Sequence, residues 1–367
     1  MPVESETPRR VVVKIGSNVL TRDDCMLDIT RMSAIVDQVA ELRRAGIQVI
    51  LVSSGAVAAG RFELRSAGEH HLDSVSARQL FSAVGQAKLI DRYVQLFREH
   101  DIVCGQVLTT KENFSTRHHY LNQQNCMEVM LREGVVPVVN ENDTVSITEL
   151  MFTDNDELSG LIAMMMNADR LIILSNIDGI FTGNPADPES TLIARVEQGE
   201  DLSRYISSAR SGLGRGGMTS KYRIARRVAE AGIEVVIANG KRDAIITSVV
   251  LNPDATRCTR FIASERTASP VKRWIANSGS WAKGTLRVNA DAARTILERP
   301  GTSLLAVGVT AVEGDFESGD IVAVADVEGN TIAWGRVAVS ADEARQSVGV
   351  NGVRPFVHAD YLYINDI

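Results

Sequence analysis

The sequence predicts an α/β protein: a mostly parallel sheet sandwiched by helices, followed by a small β-rich, barrel-like domain. Three observations carry that expectation. Over residues 1–262, short β-branched runs alternate with longer segments of 3.6-residue period, the pattern of a sheet covered by helices on both faces. Residues 263–284, with Pro270, Lys272, Arg273, Trp274 and Asn277-Ser278-Gly279-Ser280, break that rhythm and read as a linker. Over 285–367 short strands are separated by Gly-Asp, Ser-Gly-Asp and Glu-Gly-Asn turns.

In chain order the strand candidates of the first part are Val11 to Ile15, Gln48 to Ser53, Val103 to Leu108, Val135 to Asn140, Arg170 to Leu174 and Glu234 to Ala238. The first helix candidate, Asp28 to Ala45, puts Ile29, Met32, Ile35, Val36, Val39 and Leu42 on one stripe, with Gly46 as its stop. Others run from Ser74 to Glu99, Ser115 to Arg132, Glu157 to Asn167 and Met218 to Ala231. In the tail, strands are expected over Val307 to Val312, Ile321 to Val324 and Thr331 to Val337.

Composition excludes several classes. With 44% hydrophobic and 23% charged residues over 367, the chain has an ordinary globular mix. Apolar runs such as Leu161 to Met166 are far shorter than the roughly 18 to 20 residues that cross a bilayer. The polar start, Met1 to Arg10, lacks an apolar signal segment, so a cytoplasmic location is expected. Cys25, Cys104, Cys126 and Cys258 show no CxxC spacing, and His70–His71 and His118–His119 are adjacent pairs, so no metal site is expected. From Thr285 onward six basic residues stand against twelve acidic ones, which disfavours binding to nucleic acid through its phosphates.

Polar groups gather where strands end. Lys14 closes an apolar run and is followed by Gly16 and Ser17, presenting a cation and backbone N–H groups at the sheet edge where α/β proteins bind ligands. A lysine simply reaching solvent would look the same. Ser53-Ser54-Gly55-Ala56 could hold an anion or be an ordinary turn. Val138-Val139-Asn140-Glu141-Asn142-Asp143 and then Asp154-Asn155-Asp156-Glu157 crowd acids and amides behind a buried-looking strand. Leu171-Ile172-Ile173-Leu174 empties into Ser175-Asn176-Ile177-Asp178-Gly179. Gly212, Gly214, Gly216 and Gly217 precede Met218-Thr219-Ser220-Lys221, a phosphate-cradle composition. No apolar strand runs into its GxGxxG, so a dinucleotide fold is not indicated; GxxxxGK[ST] is absent, against a P-loop kinase.

In this order, and with Asp178-Gly179-Ile180-Phe181-Thr182, these segments resemble the amino acid kinase family over nearly the whole chain. The tail, through Ser303-Leu304-Leu305, Gly308-Val309, Gly314-Asp315-Phe316 and Gly319-Asp320, resembles a PUA domain. The resemblance implies an amino acid kinase domain over 1–262, a PUA domain over 285–367, and an ATP-dependent phosphotransferase with a carboxyl acceptor. The acceptor it implies is the side chain of L-glutamate, giving L-glutamyl 5-phosphate, the first step of proline biosynthesis. Such an acceptor is ionised at pH 7 and needs no general base.

By matching position, Lys14, Lys221 and Asp156 would be catalytic, and Ser54, Asp143 and Asn155 would bind the amino acid. Lys14, Gly16, Ser175, Asn176, Arg215, Gly216, Gly217, Met218, Thr219, Ser220 and Lys221 would meet ATP, which brings its own Mg²⁺. A homo-oligomer and proline as feedback inhibitor are also implied. Asn176 stands where the family commonly has Asp, and Arg215 where it has Thr. Two rivals are an RNA-binding or RNA-modifying PUA protein, against which the acidic tail speaks, and a proline sensor whose kinase activity has decayed. Decay would show as loss of Lys14, Asp156 or Lys221, and all three are present.

Overall fold

The computed structural model describes residues 7–65, 72–115, 117–145, 152, 154–206, 217–265, 274–275, 279, 282–299 and 301–364. The chain divides into two compact units, residues 1–111 with 124–267, and residues 112–123 with 268–367. Among the described residues no helix is long and apolar enough to cross a membrane.

Up to residue 261 the elements are β1 (Arg10–Ile15), α1 (Ser17–Leu20), α2 (Ile29–Arg44), β2 (Gln48–Val52), α3 (Ala56–Leu64), α4 (Ser74–Arg98), β3 (Cys104–Thr109), α5 (Glu112–Ser115), α6 (Arg117–Arg132) and β4 (Val136–Glu141). They continue with α7 (Asn155–Met165), β5 (Arg170–Ser175), β6 (Arg195–Val196), α8 (Met218–Glu230), β7 (Glu234–Asn239), α9 (Ile245–Leu251) and β8 (Cys258–Phe261). Eight strands form one sheet in the order β3-β4-β2-β1-β5-β7-β8-β6. All six predicted strands lie in it and are parallel to one another. The added β8 runs antiparallel to β7.

β1 is central, with Val13 in register with Leu51 on one side and Ile172 on the other. Neighbours on both edges and helices on both faces explain why its sequence is apolar without alternation. Helix α2 starts where expected, because the Asp28 carboxylate accepts from Arg31 N at 3.0 Å. Helix α7 starts two residues before the predicted Glu157, since Asp154 Oδ1 accepts from Asp156 N at 2.9 Å and Glu157 N at 3.0 Å.

No helix is among the candidates over Ala56–Leu64, because Gly60 weakens the signal. Tertiary contact explains that glycine. A Cβ on Gly60 would stand 1.8 Å from Phe81 O, and one on Gly85 1.8 Å from Ala56 O, so α3 and α4 touch backbone to backbone. Neither obstacle is a flexible side chain. Gly85→Ala is therefore expected to cost about 3 kcal/mol, the upper part of the usual overpacking range. A denaturant midpoint equal to that of the unaltered protein would show that the two helices part freely.

The second unit contains β9 (Gly284–Val288), α10 (Ala290–Glu298), β10 (Val309–Gly314), β11 (Ile321–Ala325), β12 (Thr331–Val337), α11 (Ala341–Ser347) and β13 (Val357–Ile364). Their sheet has the order β10-β9-β11-β12-β13 and is antiparallel except where β9 meets β11. Leu286, Val288, Val322, Val324, Val357 and Phe356 fill its core. Trp274, from the stretch read as a linker, is 1% exposed and its Nε1 donates to Phe114 O at 3.1 Å.

Candidate active site

Three side chains from three elements meet at the carboxyl edge of the large sheet. Lys14 leaves β1, Asp156 lies in the first turn of α7, and Lys221 lies in the first turn of α8. Lys14 Nζ is 2.6 Å from Asp156 Oδ1, and Lys221 Nζ donates to Oδ2 at 2.9 Å. Asp156 is 0% exposed and the lysines 5% and 7%. Burial pushes the Asp156 carboxyl up, but the two cations outweigh it and hold it below the ordinary range. Within the trio two positive charges stand on one negative, an excess of +1 that favours an incoming anion, with the Asp154 carboxyl near enough to act on Lys14.

The surroundings fix this trio. Asp154, besides capping α7, accepts from Ser220 Oγ at 2.5 Å and so ties the starts of α7 and α8 together. Its own carboxyl is pushed up by burial and then by the Asp156 charge beside it. Gly217 precedes α8 in extended backbone and brings no side chain to cap it, so an anion can approach the first N–H groups of the helix. Gly16 N donates to Leu174 O at 3.2 Å, and a Cβ there would be 3.6 Å from Lys14 Nζ.

One residue before Asp156, Asn155 turns toward another group. Its Nδ2 is 2.8 Å from Ser53 O, 3.0 Å from Ser54 Oγ and 3.2 Å from Asn140 Oδ1. Asn140 Nδ2 in turn donates to Gln86 Oε1 at 2.8 Å, and Ser53 Oγ lies 3.0 Å from Tyr93 OH. Asp143 is not bonded to Asn155. Arg78 Nε donates to it, Ser82 Oγ donates to it at 3.4 Å, and the same guanidinium donates to Glu141 Oε2 at 2.7 Å.

The structure thus brings together Lys14, Asp156 and Lys221, and separately Ser54 and Asn155. Ser175 is buried and Asn176 exposed, and neither bonds to the lysine trio. Met218 is half-buried and Thr219 exposed at the start of α8. Arg215 and Gly216, with Gly212 and Gly214, lie outside the described residues. The sequence places Asn140 and Asp154 in its polar cluster without a separate role for either, and does not point to Gln86 or Arg78. Nor did it foresee that Asp178 is held by Arg242 and Arg257 at 2.6 and 2.7 Å, with Asn239 donating to it at 3.2 Å. The Arg242 hydrogen bond leads in drawing that carboxyl down to about 2.

The model of the amino acid kinase family matches residues 9–239, well over half the chain. The chain belongs to the amino acid kinase family. A PUA domain model matches residues 284–355. Among family members, glutamate 5-kinase of Bacteroides thetaiotaomicron is 58% identical, the match covering 97% of this chain and 98% of that protein. Glutamate 5-kinase of Chlorobaculum tepidum is 43% identical over 97% of each. Carbamate kinase from Giardia lamblia, solved with AMP-PNP, superposes on 70% of this chain and 99% of its own with a TM-score of 0.53 at 15% identity. That likeness is one of fold.

Proposed function

We propose that the chain acts as a glutamate 5-kinase, moving the γ-phosphoryl group of ATP to the side-chain carboxylate of L-glutamate. The observation that carries it is adjacency: Asn155 and Asp156, consecutive residues, serve two clusters of opposite character. On one side a buried excess of positive charge suits the transferring phosphoryl group. On the other, hydroxyl, amide and carboxylate groups suit an amino acid.

In this reading Lys14 and Lys221 neutralise charge on the transferring group, and Asp156 fixes both ammonium groups without moving a proton. Gly16, Ser175, Asn176 and Arg215 to Lys221 meet the nucleotide, which enters with Mg²⁺ as one substrate. Asn155 and Ser54 hold the acceptor, and Asp143 takes its α-ammonium. Holding the two substrates in line is most of the work, because the acceptor is already a nucleophilic anion. A cytoplasmic homo-oligomer restrained by proline, with domains at 1–262 and 285–367, completes the proposal; its support is the family resemblance.

The test is ADP release with glutamate, N-acetylglutamate, aspartate and UMP compared side by side; preference for any acceptor other than glutamate overturns the reading. Asp143→Ala is expected to raise the KM for glutamate at least tenfold, a loss of about 1.4 kcal/mol, and to leave that for ATP within twofold. Equal changes in both would move Asp143 out of the acceptor site. RNA binding is the less favoured reading of the PUA domain, given the tail's excess of acids.

A further inference from the structure

Gln86 is an amide buried in α4, only 7% exposed, and the reaction described above gives it no task. Its Oε1 accepts from Asn140 Nδ2 at 2.8 Å. That is its only side-chain hydrogen bond among the described residues, so its Nε2 donor has no acceptor there. A buried amide nitrogen without a partner costs free energy, and proteins keep few of them unless water or a ligand completes the bond.

Backbone groups fix which end of each amide faces where. Glu141 N can only donate, and it donates to Asn140 Oδ1 at 2.9 Å, so Asn140 turns its Nδ2 to Gln86 and needs an oxygen there. Ser53 O can only accept, and it takes Asn155 Nδ2 at 2.8 Å. Asn155 is thereby left with an oxygen to offer and Gln86 with an N–H. The backbone beneath Gln86 is held as well, because Gly85 meets Ala56 O, and Ala56 opens α3 two residues after Ser54. Counted along the hydrogen bonds, Gln86 comes after Asn155 and Asn140, the end of the acceptor cluster remote from Asp156 and its lysines. One turn earlier on α4, Ser82 Oγ donates to Asp143 Oδ2 at 3.4 Å. Residues four apart share a helix face about 5–6 Å apart. An amino acid carries its ammonium and α-carboxylate on a single carbon, so groups one turn apart can read both.

We propose that Gln86 is an acceptor-binding residue: its Nε2 donates to the α-carboxylate of the amino acid while Asp143 takes the ammonium group. The inference rests on the glutamate kinase reading and adds the group that selects a substrate with a second carboxylate. 4-Aminobutyrate keeps the reacting carboxylate and the amino group of glutamate and lacks only the α-carboxylate. Bound in the same place, it would leave the buried Nε2 unpaired.

The test is ADP release by the full chain and by its Gln86→Glu and Gln86→Met variants at about pH 8.5, well above the ordinary carboxyl range. Gln86→Glu keeps an oxygen for Asn140 and exchanges the N–H donor for an oxygen that repels a carboxylate. Gln86→Met removes both groups. Each is expected to raise KM for glutamate about tenfold or more, the usual loss for a hydrogen bond to a charged group, with KM for ATP within twofold. Gln86→Glu should be impaired at least as much as Gln86→Met. A residue that merely steadied Asn140 would give the reverse order, with Gln86→Glu near the unaltered KM and Gln86→Met impaired. 4-Aminobutyrate, tried as a competitor of glutamate on the unaltered protein, should bind at least tenfold more weakly than glutamate, a comparison that needs no variant. The reverse order, an unchanged KM in both variants, or 4-aminobutyrate binding as well as glutamate overturns the proposal alone. An unaltered protein that releases no ADP with glutamate overturns the parent reading, and this one with it.

Discussion

Lys221→Ala and Lys14→Ala are each expected to lower kcat by about 10²-fold or more while the protein stays folded. Each supplies charge to the transferring group, and removing one such donor typically costs about 3 kcal/mol of transition-state stabilisation. Folding should survive for a reason the geometry supplies. The intact trio has two cations on one anion, so either deletion leaves a neutral, buried Lys–Asp pair. Steady-state kinetics and thermal melts on the same preparations check both halves. Near-normal turnover in either variant would remove that lysine from the reaction.

Asp156→Asn should behave in the opposite manner and damage both properties. Without its carboxylate, Lys14 and Lys221 face each other at a buried site, and breaking a buried charge pair in this way costs about 3–5 kcal/mol. Turnover is expected to fall by about 10²-fold or more, since both ammonium groups lose their position. The sign of the pH effect is definite. In the intact protein the lowered Asp156 carboxyl contributes stability that is present above the ordinary Asp value and is lost as pH falls through the lowered one. Added ATP should raise the variant's melting temperature by more than that of the intact chain, its phosphates standing in for the missing anion. Equal shifts would place Asp156 away from the phosphates.

Much of this architecture was legible because the signals are local. Apolar runs of five or six residues marked the six parallel strands, and polar residues at their carboxyl ends marked the edge where Lys14, Asn155 and Asp156 lie. What stayed hidden depends on distant partners. Helix α3 was missed because Gly60 serves its approach to α4, and β6, with two residues, is too short to carry a pattern. Arg78 gave no sign of its role, since its partners are more than 60 residues downstream. Asp143 is legible as an acid just beyond a strand end, while the arginine that bonds to it comes only from the fold.

Along one side of α4, Arg78, Ser82, Gln86 and Tyr93 reach in turn Asp143 with Glu141, Asp143 again, Asn140, and Ser53. The cations on Asp156 come instead from β1 and α8. The two halves of the chemistry are therefore written on different segments of the chain. A lineage could exchange its acceptor by rewriting one stripe of a single helix and the strand end opposite, while inheriting the phosphate-handling groups intact. Directed evolution toward new carboxylic acids would begin at those four positions.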